Sequence, residues 1–172
     1  MTLVTLDPTT GSFDAPSSFT MARRPASLAG HTLGIIANGL GRSEMMFDAL
    51  AEQLTKWDDI AETVKVVKPS VAVAPWPEQW DAIASQATIA VTGFGGCGSC
   101  STRSMRDALD LEAAGIPSVC IVHRALVPAV EALCRLVGAP DYPYNPTGVW
   151  SEDEANAMAE QVLDAVRARL TA

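Results

Sequence analysis

Leu33-Gly-Ile-Ile-Ala-Asn-Gly-Leu-Gly-Arg-Ser43 is the stretch on which the fold turns. Leu33 to Ala37 is too short for a helix, carries adjacent isoleucines and is bounded by turn residues, so it reads as a strand buried on both faces. Asn38-Gly39 then makes a turn. Ser43 stands where a helix N-cap belongs, ahead of Met46, Ala49, Leu50, Gln53, Leu54 and Trp57 at the 3.6-residue spacing. The unit is strand, turn, helix.

The same unit recurs downstream. Thr63–Val67 reads as a second strand ending at Lys68-Pro69, and a stretch broken by Pro75 and Pro77 leads to a helix around Glu78–Ser85, with Trp76 and Trp80 flanking its start. Thr88–Thr92 is a third strand, followed by a helix with Met105, Ala108, Leu109 and Glu112 on one face and Gly115 as its stop. Ser118–Val122 is a fourth, followed by a helix striped by Leu126, Val130, Leu133, Cys134 and Val137. Asp141–Gly148 reads as a loop, Ser151 with Glu154 as a capping box, and Ala155, Met158, Val162, Val166 and Leu170 as the stripe of a last helix. Strands alternating with helices predict an α/β fold: a single-domain, three-layer, doubly wound sheet, mainly parallel, of four or five strands with helices on both faces. Residues 1–30, rich in Pro, Ser and Thr, are expected to form an extended N-terminal arm with at most a short strand near Leu3–Leu6 and little share in the core. Residues 31–172 form the α/β domain, with the active-site turn at 93–104. In such a sheet the ligand site lies outside the carboxyl ends of the strands.

At 172 residues the chain suits one domain. Hydrophobic residues make up 48% and charged residues 19%, enough for a packed core and too apolar for a disordered chain. Twelve Lys and Arg against 20 Asp and Glu give a net charge of −8, which repels phosphate backbones and anionic lipid. Nucleic acid and membrane are therefore not expected as partners. Apolar runs such as Ile116–Val122 fall well short of the ~20 residues that span a bilayer, and Met1–Gly11 lacks the pattern of a signal peptide, so a cytoplasmic location is expected.

The chain has four cysteines, Cys97, Cys100, Cys120 and Cys134, and two histidines, His31 and His123. Cys120 lies in an apolar run and Cys134 on an apolar helix face, where each reads as a small hydrophobe. Cys97 and Cys100 differ. They lie in Val91-Thr-Gly-Phe-Gly-Gly-Cys-Gly-Ser-Cys-Ser-Thr102, after a strand and at the start of a helix. The positive end of a helix and its free N–H groups favour a thiolate, and a CxxC spacing lets the second thiol attack a mixed disulfide formed at the first. Cations in a first helical turn oppose the dipole, so Arg103 and Arg106 call for an anionic neighbour, a thiolate or a substrate. Gly96, Gly98, Ser99 and Ser101 complete the turn as substrate-binding candidates. A zinc site would have only Cys97, Cys100 and His123, one ligand short, and no metal is expected.

Other candidates fall at the same sheet edge. His123 and Arg124 end the fourth strand, where a histidine can pair with a thiolate or protonate a leaving group, or simply mark the strand's end. Asn38, Gly39 and Arg42 form a glycine turn able to hold a carboxylate or phosphate. That turn lacks the third glycine of a dinucleotide fingerprint, and Lys68 stands where an acidic residue would close the second strand, which argues against a nicotinamide cofactor; none is expected. Lys68 adds charge at this edge or is an ordinary solvated lysine. The acidic residues read as solvated partners on helix faces.

Gly95-Gly-Cys97-Gly-Ser-Cys100-Ser resembles the motif of the UGSC-motif selenoproteins and their cysteine-containing relatives, with Cys97 at the selenocysteine position. The likeness extends to Leu6-Asp-Pro8, the Ile35–Gly39 strand and turn, Lys68-Pro69-Ser70, and Glu112-Ala-Ala-Gly-Ile-Pro117. A more distant similarity is to the catalytic selenoprotein subunits of glycine and D-proline reductases, which cleave a carbon–nitrogen bond reductively. The resemblance implies a redox-active nucleophile at Cys97 with Cys100 as its resolving partner.

Three readings of function follow. In the first, a thiol-dependent oxidoreductase acts on a small anionic organic substrate and is reset by an external thiol or protein reductant. In the second, Cys97 is the covalent nucleophile of a lyase, hydratase or hydrolase with His123 as acid and base. In the third, the chain is a metal-binding or accessory subunit of a larger enzyme. The arm and the loops holding Trp76, Trp80 and Trp150 point to a homo-oligomer or a complex with a related subunit.

Overall fold

The computed structural model describes residues 19–147 and 155–172. Strands and helices alternate: β1 (Thr32–Ala37), α1 (Ser43–Asp58), β2 (Glu62–Val67), α2 (Pro77–Gln86), β3 (Ile89–Gly95), α3 (Gly98–Ala113), β4 (Ser118–His123), α4 (Val127–Leu136), β5 (Asn145–Thr147) and α5 (Ala155–Leu170). The strands form one sheet in the order β2-β1-β3-β4-β5, and every pairing is parallel. The β-turn-α units read from sequence are all present.

Alternation of side chains along the strands sorts the helices into two layers. Leu33, Ile35, Ile89, Val91, Val119 and Ile121 pack on α1 and α5, the largest core cluster. Ile36 and Ala90 pack with Ile83 of α2 and Leu111 of α3, while Cys120 and Val122 meet Met105 and Ala108 of α3 and Val130 and Cys134 of α4. The chain leaves β1 for β2 on one side and reaches β3 on the other, so the winding reverses between β1 and β3. That reversal opens a crevice at the carboxyl ends of those two strands, the usual ligand position in this architecture.

The structure departs from the sequence expectations in several ways. β3 runs past Thr92 to Gly95: Gly93 pairs with Ala37, and Gly95 pairs with Val122 after a register shift. Glycines at 93 and 95 look like turn residues, yet Gly93, at φ +147°, is where a Cβ would meet the Ile121 carbonyl oxygen at 2.8 Å, so close strand packing requires it. Asn145–Thr147 is a strand inside the stretch read as loop, pairing with Ile121–His123. It lies at the sheet edge, where Pro146 need not donate to a second neighbour. Ser43 is not a cap; Arg42 holds the N-cap position without a side-chain cap, and Ser43 is the first helical residue, buried. Trp57 is 65% exposed, with Lys56 Nζ 4.9 Å above its ring, because Phe47, Leu50 and Leu54 supply the buried seam of α1.

The described part of the N-terminal arm contributes more than its composition suggested. Leu28 is in the main core, and the Arg24 guanidinium grips Glu112 with bonds of 2.7 and 2.8 Å. Glu112 itself is buried and also accepts from the Ala22 and Ser118 backbone N–H groups, both at 2.7 Å. The expected strand at Leu3–Leu6, Trp150 and the Ser151–Glu154 capping box lie outside the described residues. Among the described residues, no helix is long and apolar enough to cross a membrane.

Candidate active site at the β1/β3 crevice

Two turns meet at the crevice. Asn38, at the end of β1, is buried; its Nδ2 donates to the Phe94 carbonyl at 2.5 Å and its Oδ1 accepts from the Leu40 N–H at 3.0 Å. The side chain is thus a strut tying the β1–α1 turn to the end of β3. Leu40 lies over Gly96 so closely that a Cβ there would collide with Leu40 Cδ2. Gly39 and Gly41 have positive φ, which lets the chain double back before α1.

On the β3 side, Cys97 is the N-cap of α3, and its Sγ accepts the Cys100 N–H at 3.1 Å, the role a Ser or Asp oxygen commonly fills. Ser101 reinforces the turn from its backbone N–H and its hydroxyl, both donating to the Cys97 carbonyl, at 2.9 and 2.7 Å. The two sulfurs are joined in a disulfide with Cα atoms 5.1 Å apart. They differ in access: Cys97 is partly exposed, whereas Cys100 is 1% exposed beneath the turn. An external thiol therefore reaches Cys97 first. Gly96, Gly98 and Ser99 are exposed around it.

From Ser99 an open groove of about 520 Å³ runs along α3, lined by Thr102, Arg103, Arg106 and Asp110, with Ala72 and Leu133 on its flanks. The two arginines have partners within their own helix. Arg103 reaches Asp107 Oδ1 from Nε at 2.9 Å and Asp110 from its terminal nitrogen at 3.2 Å, and Arg106 Nε bonds Asp110 at 2.9 Å. Downstream carboxylates at i+4 thus offset the cost of cations in the first turns and are themselves the anionic neighbours of both arginines.

Lys68, at the end of β2, is buried, and its Nζ lies 2.6 Å from Asp107 Oδ2, with both side chains wholly out of solvent. Burial is the dominant influence on each: it lowers the lysine and raises the aspartate relative to their ordinary values, while their mutual attraction works the other way. Neither Lys68 nor Asp107 is a solvated surface charge. Asp107 carried a sequence signal, because it falls at i+7 from Cys100 on the face that also holds Ser104 and Leu111.

His123 ends β4, half-buried, and its Nδ1 accepts the Ala125 N–H at 3.1 Å. In the neutral ring this leaves the proton on Nε2, the nitrogen still available to donate. Arg124 follows, exposed, in a single 3₁₀ turn. All the residues singled out from sequence thus fall at the carboxyl edge of the sheet. Arg42, Asn38 and Gly39 are on the β1 turn, Lys68 is behind α3, Cys97 to Arg103 are on the β3 turn, and His123 with Arg124 are one strand further on. Among the described residues, no three His, Cys, Asp or Glu side chains converge as metal ligands.

The other cysteines behave as core. Burial pushes the Cys120 thiol up to about 12 and Cys134 to about 11 from an ordinary 9.0. The folded thiols keep their protons where the unfolded ones lose theirs, so their stabilisation is complete below pH 9.0 and drains away as pH rises toward those folded values. Urea unfolding between pH 8 and 10.5 is expected to show stability falling by up to ~1.4 kcal/mol per pH unit for each thiol once pH passes its unfolded value. Cys120→Ala is expected to make that decline shallower.

None of the curated proteins compared with the chain matches it. The family model of the UGSC family matches residues 4–172. A match over essentially the whole length, on a parallel α/β sheet that carries the Gly-Cys-Gly-Ser-Cys turn at its crevice, establishes that the chain belongs to the UGSC family.

Proposed function

We propose that this protein is a thiol-dependent oxidoreductase in which Cys97 is the nucleophile and Cys100 the resolving thiol. The observation that carries the reading is the asymmetric disulfide at the β1/β3 crevice, with a partly exposed Cys97 at a helix N-terminus and Cys100 enclosed below it. In the reduced protein, the helix dipole and the Cys100 N–H favour negative charge on Cys97 Sγ. That sulfur bonds to the substrate and displaces a leaving group with its bonding pair; Cys100 then bonds to Cys97 Sγ, expelling the remaining half with the second electron pair and closing the disulfide. An external thiol or reductant protein returns two electrons. The groove beginning at Ser99 and bordered by Arg103 and Arg106 suits a small anionic organic substrate. The proton for its leaving group is assigned to His123, whose Nδ1 is held by the Ala125 N–H at the end of β4. A reducing, cytoplasmic compartment fits a pair that must be reset by thiols.

A small anionic aromatic disulfide tests the assignment. Reduced wild-type protein is expected to release both halves of the reagent and return to its internal disulfide. Cys100→Ser should stop at a stable mixed disulfide on Cys97, seen by mass spectrometry, and lose multiple turnover. Equal, slow labelling of all the cysteines, or a Cys100→Ser variant that still turns over, would defeat the redox assignment and favour Cys97 as a non-redox covalent nucleophile.

A further inference from the structure

Cys100 is the sulfur that must leave when the disulfide is reduced at Cys97, and it leaves into a space closed to solvent. A thiolate there is costly without a proton. α3 presents Cys100, Ser104 and Asp107 at i, i+4 and i+7, all buried, so successive side chains are neighbours about 5–6 Å apart at Cβ. Ser104 is 1% exposed, and its Oγ has no hydrogen-bond partner among the described residues. Buried hydroxyls are seldom left without one. Its own carbonyl is taken by Thr92 Oγ1 at 2.9 Å, which fixes the turn of helix on which the hydroxyl sits. Beyond it lies the Lys68–Asp107 pair, with Arg103 on the other carboxylate oxygen.

We propose that Ser104 and the buried Lys68–Asp107 pair form a relay that delivers a proton to Cys100 when the disulfide is reduced. The inference rests on the redox reading of the Cys97–Cys100 pair. A thiolate of an external dithiol bonds to Cys97 Sγ, and the Cys97–Cys100 bond breaks with its electron pair on Cys100. The Lys68 ammonium passes a proton to Asp107 Oδ2, Asp107 passes it on to Ser104 Oγ, and the Ser104 hydroxyl proton moves to Cys100 in the same shift. Lys68 ends as a neutral amine, and the Asp107 carboxylate stays held by Arg103. The dithiol's second sulfur, after losing its proton to solvent, attacks its own mixed disulfide and leaves as the oxidised ring, freeing Cys97 as a thiolate. Burial weakens the hold of Lys68 on its proton. The groups facing the pair are Arg103 of α3, which favours the loss, and the Cys120 thiol of β4, which is neutral throughout the neutral range.

The test is the rate at which dithiothreitol reduces the disulfide, divided by the concentration of its thiolate, from pH 6 to 9 in wild type, Ser104→Ala and Asp107→Asn. Wild type is expected to show a high plateau that steps down as the pair loses its proton; both variants should lose the step and run at least about tenfold slower on the acid side. Ser104→Ala deletes an unpartnered hydroxyl, so its thermal stability should match wild type, and it decides the matter alone if Asp107→Asn fails to fold. A Ser104→Ala profile superimposable on wild type overturns the relay. The reduction rate is read without any substrate, so failure of the relay is distinct from failure of the redox function, which appears as Cys100→Ser retaining turnover.

Discussion

Glu112→Ala is expected to lower the unfolding free energy by about 3–5 kcal/mol, among the largest effects of any single substitution in this chain. The carboxylate is 2% exposed and is the common acceptor for Arg24, the Ala22 N–H and the backbone and hydroxyl of Ser118. Its removal strands the Ser118 N–H inside the protein and the Arg24 guanidinium in a site 11% exposed, at roughly 1–3 kcal/mol for an orphaned buried group. Tyr142, whose hydroxyl meets Ser118 Oγ at 3.0 Å, loses its support next. For a domain of this size the loss corresponds to a melting temperature lower by on the order of 10 °C, measurable by calorimetry. Arg24→Ala should give a smaller decrease, because Glu112 keeps its two backbone N–H donors. Equal stability of Glu112→Ala and wild type would show that the clamp does not hold the segment in solution.

The second large effect belongs to Asp107. Asp107→Leu leaves the Lys68 ammonium sealed against leucine and deprives Arg103 of its closest acceptor, with an expected cost of about 3–5 kcal/mol. Adding Lys68→Met should recover most of that loss, since an apolar pair of similar volume avoids desolvating either charge. Urea unfolding of the two singles and the double closes the cycle; a double no more stable than Asp107→Leu would mean that the lysine escapes to solvent when its partner is removed. The pair is thus weak as a stabiliser and strong as a constraint, which suits the relay assigned to it.

Much of this architecture was legible in the chain. Short β-branched runs each followed by a helical stripe specify parallel crossover units, and a CxxC between a strand and a helix could only fall at the carboxyl edge of the sheet. What was not legible depended on partners far away in sequence. Glycines 93 and 95 read as turn until β1 and β4 are beside them, and Asn145–Thr147 has no strand character apart from the free edge of β4. Glu112 and Lys68 look like surface charges because a charge with no partner near it in sequence is ordinarily solvated, and Asp107 shows only the helical phase of its buried face. The chain instead buries them in oppositely charged pairs drawn from segments 39 and 88 residues apart. Ser104 carries no sequence signal at all, since an unsatisfied hydroxyl is defined by what is missing around it.

The Arg24–Glu112 clamp also determines how the molecule can be handled. Arg24 Nε donates to the Arg169 carbonyl, and the Ala172 N–H donates to the Pro25 carbonyl, so Arg169 to Ala172 are seated beside the clamp at the amino edge of the sheet. The cysteine turn is at the opposite edge, a full strand length away. A tether fixed to the protein at this edge therefore holds it to a bead or an electrode by its base, with the disulfide facing outward to whatever reductant flows past.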